Sequence, residues 1–137
     1  MAKRSTNILL CIAALITGAA IYVLFRTNAY ISKWFDCVDF IGTLRTIAVG
    51  YTNGFIKFYL PDFLWCFALC CGMQAIYLPG RRGMVICALV AFSCGTLWEL
   101  LQWGGAVSGT GDFWDILMYL SGSILSILIN IKGEKTK

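Results

Sequence analysis

Four apolar runs, each about as long as a helix that crosses a bilayer, constrain this chain more than any other feature. The last two form a hairpin: Met84 to Trp103 reads MVICALVAFSCGTLWELLQW, the loop GGAVSGTG follows, and Asp112 to Ile131 reads DFWDILMYLSGSILSILINI. Ahead of them lie Ile8 to Phe25 and Pro61 to Leu78. A helix of about 20 apolar residues covers roughly 30 Å of hydrocarbon. Backbone groups in lipid must bond within their own segment, so such runs become helices. The sequence therefore predicts one all-α domain over 1–137, a polytopic membrane helix bundle. It has four transmembrane helices at about 8–25, 61–78, 84–103 and 112–131, plus an interfacial or re-entrant helix at about 37–51.

That last segment is inferred from its periodicity. Apolar residues fall at 37, 40, 41, 44, 47, 48 and 51, a helical stripe, with Asp39, Thr43, Arg45 and Thr46 elsewhere. The stripe is too interrupted to span, which predicts a helix lying in the interface or dipping into it. Asn53-Gly54 marks a turn, and Pro61 suits the first turn of the next helix, where its missing N–H costs no bond. Near the N-terminus, Lys3 and Arg4 ahead of an apolar run suggest a signal peptide. The run continues through Ile21 to Phe25, which predicts a retained helix instead.

Composition narrows the chemistry. The 59% hydrophobic content exceeds what a soluble domain of 137 residues carries. There is no histidine, which excludes imidazole metal sites and imidazole general bases. Six of the seven cysteines lie inside apolar runs with no paired ligand spacing, so they read as small packing residues, and no metal or cofactor is predicted. The net charge of +4 comes from short basic clusters between apolar runs, which is no nucleic-acid signature.

Those clusters set an orientation. Lys3, Arg4, Arg81, Arg82, Lys132, Lys135 and Lys137 are seven of the eleven basic residues, and four spans place all of them on one side. The positive-inside rule makes that side cytoplasmic, with both termini, and predicts a multi-pass protein of the cell membrane. Trp34, Trp65, Trp98, Trp103 and Trp114 then share the outer interface with the 104–111 loop, which holds no Lys or Arg.

The acidic residues collect at that outer mouth. Glu99 and Gln102 share a helical face that continues inward as Gly95, Ala91 and Ala88, and Asp115, Tyr119, Gly122 and Ser126 form a matching face on the last span. Small residues at this spacing let membrane helices approach closely, so Gly95 and Gly122 are expected between the third and fourth spans. A carboxylate on such a face is a functional candidate by default. Glu99 cannot be a cap, and Gln102 is its expected hydrogen-bond partner. Asp112 reads as an N-cap, and Asp115 reads either as a capping acid or as a reactive group. Asp62 sits at the positive end of its helix, and Arg45 is the expected counter-charge. The glycines of the loop have no following Gly-Lys-Ser/Thr, which dismisses a phosphate loop. Gly109-Thr110-Gly111-Asp112 matches the GxGD pattern of intramembrane aspartyl proteases over four residues only.

A longer resemblance runs from Tyr59 to Gly122. Tyr59-Leu60-Pro61-Asp62 opens a span, Trp98-Glu99-Leu100-Leu101-Gln102 ends one, and Asp112-x-x-Asp115 with Gly122 follows. In order and spacing these resemble the VanZ-like family of small integral membrane proteins. The resemblance implies four to five spans, a place in the cell envelope and a link to glycopeptide (teicoplanin-type) antibiotic resistance.

Three function classes follow. The first is an envelope protein that binds a polar head group or partner through Glu99, Gln102, Asp112, Asp115, Arg45 and Asp62, with the bilayer and a lipid-linked or cell-wall precursor as partners. The second is an intramembrane hydrolase or transferase with Glu99 and Asp115 as an acid/base pair. The third is a small oligomeric transporter.

Overall fold

The computed structural model describes residues 2–25, 39–51, 54–77 and 80–135. Among them are six helices: α1 (Ala2–Phe25), α2 (Asp39–Tyr51), α3 (Gly54–Phe58), α4 (Leu60–Tyr77), α5 (Arg81–Trp103) and α6 (Phe113–Lys135). Helices α1, α4, α5 and α6 are long and apolar enough to cross a membrane, and the molecule is an all-α bundle. Three of them outrun the apolar boundaries. α1 begins at Ala2, α5 takes in Arg81 and Arg82, and α6 continues past Ile131. A nucleated helix propagates cheaply into polar residues, so it does not stop where hydrophobicity does.

The long helices pack in the order α1, α4, α6, α5, with a smaller contact between α4 and α5. The central pair is therefore α4 with α6, and the predicted hairpin of α5 and α6 is one flank of it. Glycine placement explains this. A Cβ on Gly95 would lie 2.6 Å from the Tyr119 ring, which puts Gly95 between α5 and α6 as expected. A Cβ on Gly122 would instead lie 2.7 Å from the Phe63 carbonyl oxygen of α4. Gly122 thus serves the α4–α6 approach, not the α5–α6 one. Residues 119 and 122 lie about 60° apart around the helix, so α6 meets both neighbours over one broad face, with Tyr119 toward α5 and Gly122 toward α4.

Cysteines fill the seam. Cys66, Cys70 and Cys71 are fully buried, and Cys66 Sγ lies 3.2 Å from Ser123 Oγ. At the far end three buried amides join α1, α4 and α6. Asn7 Nδ2 donates to Asn130 Oδ1 at 3.1 Å, and Asn130 Nδ2 donates to Gln74 Oε1 at 2.7 Å. Such amides hold membrane helices in register, because the alternative partner is hydrocarbon.

The interfacial expectation falls partly on α2. Its 13 residues make a helix of roughly 20 Å, short of a bilayer crossing. It packs on α1, where Arg45 Nε donates to the Val23 carbonyl at 2.8 Å. Val23 is in the last turn of α1, whose open carbonyls attract a cation. Trp34 and Cys37 lie outside the described residues. α3 runs almost directly into α4: Tyr59 N–H donates to the Phe55 carbonyl at 2.9 Å, and Phe63 N–H to the Tyr59 carbonyl at 3.3 Å. Pro61 takes the second position of α4 and carries Asp62 into its first turn.

Candidate functional site

The hairpin loop aims the acids. α5 ends in a Schellman arrangement: Ala106 N–H donates to the Leu101 carbonyl at 2.9 Å and Gly105 N–H to that of Gln102 at 3.0 Å. This motif needs a left-handed residue, and Gly105 supplies it with φ 69°. Trp103 Nε1 then donates to the Gly111 carbonyl at 2.7 Å, which folds the loop back on the helix. Gln102 does the same one residue earlier. With its amide oriented to match its neighbours, its oxygen accepts from Trp98 Nε1 at 2.9 Å and its nitrogen donates to the Thr110 carbonyl at 3.3 Å. Gln102, expected as the partner of Glu99, is thus a loop clamp.

Asp112 follows as the N-cap of α6. Its Oδ1 accepts from Trp114 N–H at 3.0 Å, as the sequence predicts. Its own N–H donates to Glu99 Oε2 at 3.0 Å. In a capping box the acid at the third helical position makes that return bond. Here the acid comes from α5, and Asp115, which holds the third position, lines a chamber instead. The cap and the buried glutamate are one structure.

Tyr119, which the sequence places on the face matching that of Glu99, is the hub. Its ring sits over Gly95 and meets Trp65 edge-on, with centroids 6.2 Å apart. Its hydroxyl lies 3.0 Å from Glu99 Oε1 and 3.1 Å from Asp62 Oδ1. Three helices therefore meet at one oxygen: α6 through Tyr119, α5 through Glu99 and α4 through Asp62. A phenol has one hydrogen, so two carboxyl groups share one phenolic donor. Glu99 is only 2% exposed, and its described partners satisfy both of its oxygens.

Tyr59 adds a fourth contact from the turn before α4, donating to Asp112 Oδ2 at 3.2 Å. Partial burial, and then the Asp112 and Asp115 carboxylates, push the Tyr59 phenol above its usual range. The carboxylates act by penalising a second anion beside them.

These groups border a half-open chamber of about 310 Å³, lined by Asp62, Glu99, Gln102, Asp112, Asp115 and Tyr119, and by residues of α1 and the loop. The structure thus gathers five of the six predicted binding residues. Arg45, the sixth, is not among the chamber's described lining, and its Nε donates to the Val23 carbonyl of α1. Among the described residues no three His, Cys, Asp or Glu side chains come together in a group able to hold a metal ion.

No family model, curated protein or solved structure matches the chain. The chemistry has to be argued from the chamber itself. Trp98 and Trp114 flank it and are half-exposed on the outside of the bundle, as are Trp65 and Trp103 nearby. An aromatic girdle of this kind suits the polar border of a bilayer. The chamber offers anionic and hydroxyl groups to anything with hydrogen-bond donors or positive charge.

Two elements of the site escaped the sequence reading, Tyr59 and the Tyr119 bridge. A signal existed for the second. On α6 the polar residues 115, 119, 123, 126 and 130 recur every three or four positions, a stripe facing inward for the helix's whole length.

Proposed function

We propose that this chain is an integral membrane protein of the cell envelope that binds a polar head group in its acidic chamber. The observation that carries the reading is the convergence of Asp62, Glu99, Asp112 and Asp115 on one half-open chamber at the tryptophan-ringed end of the bundle. Buried carboxyl groups are costly in a membrane protein and are retained where they meet a ligand or a path. The distribution of basic residues supports cytoplasmic termini, with the chamber opening to the outside. The order of the motifs at Glu99-x-x-Gln102 and Asp112-x-x-Asp115 supports a VanZ-like assignment and, through it, a link to glycopeptide resistance.

The test uses purified protein in a neutral detergent, titrated with phosphoethanolamine, glucosamine and a muropeptide. A ligand that binds the folded state raises the melting temperature with concentration. At least one fragment should do so for the wild type, and the rise should shrink in Glu99→Gln and Asp62→Asn. No rise with any fragment would sink the reading. A second reading has one observation in its favour: Glu99 and Asp115, the proposed acid/base pair of a hydrolase or transferase, line the same chamber. Turnover of a lipid-linked substrate that vanishes in Glu99→Gln, with binding retained, would select it.

A further inference from the structure

The acidic chamber has a neighbour. A second cavity, of about 650 Å³, adjoins it between α1, α4 and α5. Tyr22, Asp62, Trp98 and Tyr119 line both. Beyond them the walls change character to Ala19, Pro61, Trp65, Cys94 and Gly95. Each cavity falls within the roughly 300–1,000 Å³ of small-molecule sites. The two together have the polarity profile of an amphiphile: hydrogen-bonding and anionic at one end, apolar along the other.

The occupant follows from where the groove lies. Its walls belong to α1, α4 and α5, with Tyr119 of α6 at the head end, all helices of membrane-spanning length, so hydrocarbon is the medium that reaches it. What distinguishes one chain from another there is its head. The head end presents the carboxyl groups of Asp62, Glu99, Asp112 and Asp115. A phosphate or carboxylate head placed there meets like charge, whereas an ammonium meets acceptors on several sides. We infer that the two cavities form one site for an amphiphile with a primary ammonium head, the head in the chamber and its hydrocarbon chain in the groove beside Trp65 and Trp98. The inference rests on the head-group reading above and goes further by fixing the charge of the head and the place of the tail.

The two ends have different tasks. A chain leaving the bilayer for this groove exchanges one apolar surface for another and gains little, so the tail positions while the head selects. Small-molecule selectivity comes from the few polar groups that a mostly apolar pocket contains. Changing the head should therefore alter affinity strongly, and blocking the groove should exclude the tail by volume.

Trp65 and Trp98 serve as reporters, because bromine on a bound chain quenches a neighbouring indole. Purified protein in neutral detergent is titrated with a chain-brominated long-chain alkylamine and with the brominated alcohol and fatty acid of equal length. The amine should give a saturable quench, with the alcohol and the acid at least tenfold weaker. Ala19→Phe, which fills the groove from α1, should weaken the amine at least tenfold. Cys94→Phe, on the α5 wall, provides the same test if Ala19→Phe folds poorly. Equal quenching by all three heads, or quenching unchanged by either groove variant, overturns the inference. If glucosamine or phosphoethanolamine stabilises the protein while the alkylamine does not quench, the chamber reading stands and this one falls. If none of the probes binds, both fall.

Discussion

At the scale of single residues, Tyr119 does the most. Its one hydroxyl reaches Asp62 and Glu99, and its ring fills the space above Gly95. Tyr119→Phe keeps the ring and deletes the donor, leaving two carboxyl groups of a buried cluster without it. Losing one partner of a buried polar group costs about 1–3 kcal/mol. Interhelical bonds in membranes average less, near 0.6 kcal/mol, so the lower part of that range is expected. Denaturation in mixed micelles should show Tyr119→Phe destabilised by about 1 kcal/mol, and equal stability would refute the bridge. Tyr59 gives a pH test. Its phenol is raised in the folded protein, so its bond to Asp112 contributes fully below the unfolded value of about 10. That contribution disappears as pH climbs through the higher folded value. The ultraviolet difference titration of wild type against Tyr59→Phe should therefore place this phenol above about pH 10, and a midpoint at or below it contradicts the contact.

Among the helices, the two glycines have different neighbours and should behave differently. A Cβ at Gly122 meets the backbone of α4, at Phe63 and Phe67, whereas a Cβ at Gly95 meets a side chain. Backbone cannot rotate away, so Gly122→Ala should push α4 and α6 apart and cost about 1–3 kcal/mol as overpacking. Gly95→Ala should instead tilt Tyr119 off its carboxyl partners, reducing head-group binding more than folded yield. If Gly122→Ala leaves yield and thermal stability at wild-type levels, the close α4–α6 approach is wrong. These helices also mark how much could be read in advance. The apolar runs gave the four long helices because length and hydropathy suffice to specify a helix in lipid. Asp112 was legible as a cap because capping is local, one side chain reaching two residues along. The partner of Gly122 was not legible, since periodicity says which residues share a face and not which helix that face meets. The amides Asn7, Gln74 and Asn130 were passed over for a related reason. They lie on three different helices, and only the bundle brings them together.

For the whole molecule, the main prediction is topology. Basic residues cluster at one end of the four long helices, and the acidic chamber lies at the other. Ser108 is exposed in the loop over the chamber, so it reports which side that end faces. In a background without Cys37, Ser108→Cys should react with an impermeant maleimide added to intact cells. Protection until the cells are opened would reverse the orientation and remove the outward-facing site. The packing order α1, α4, α6, α5 has a further consequence, for biosynthesis. α4 and α6 are the least apolar of the four spans and are the pair at the centre. α4 emerges from the ribosome well before α6. At ~5–20 residues per second, the 35 residues between Tyr77 and Phe113 take several seconds. For that interval Asp62 and Gln74 are made but Tyr119 and Asn130, their partners from α6, are not. α1, the most apolar span and a broad neighbour of α4, is the long helix made before it, and α5 joins the pair before α6 completes the seam.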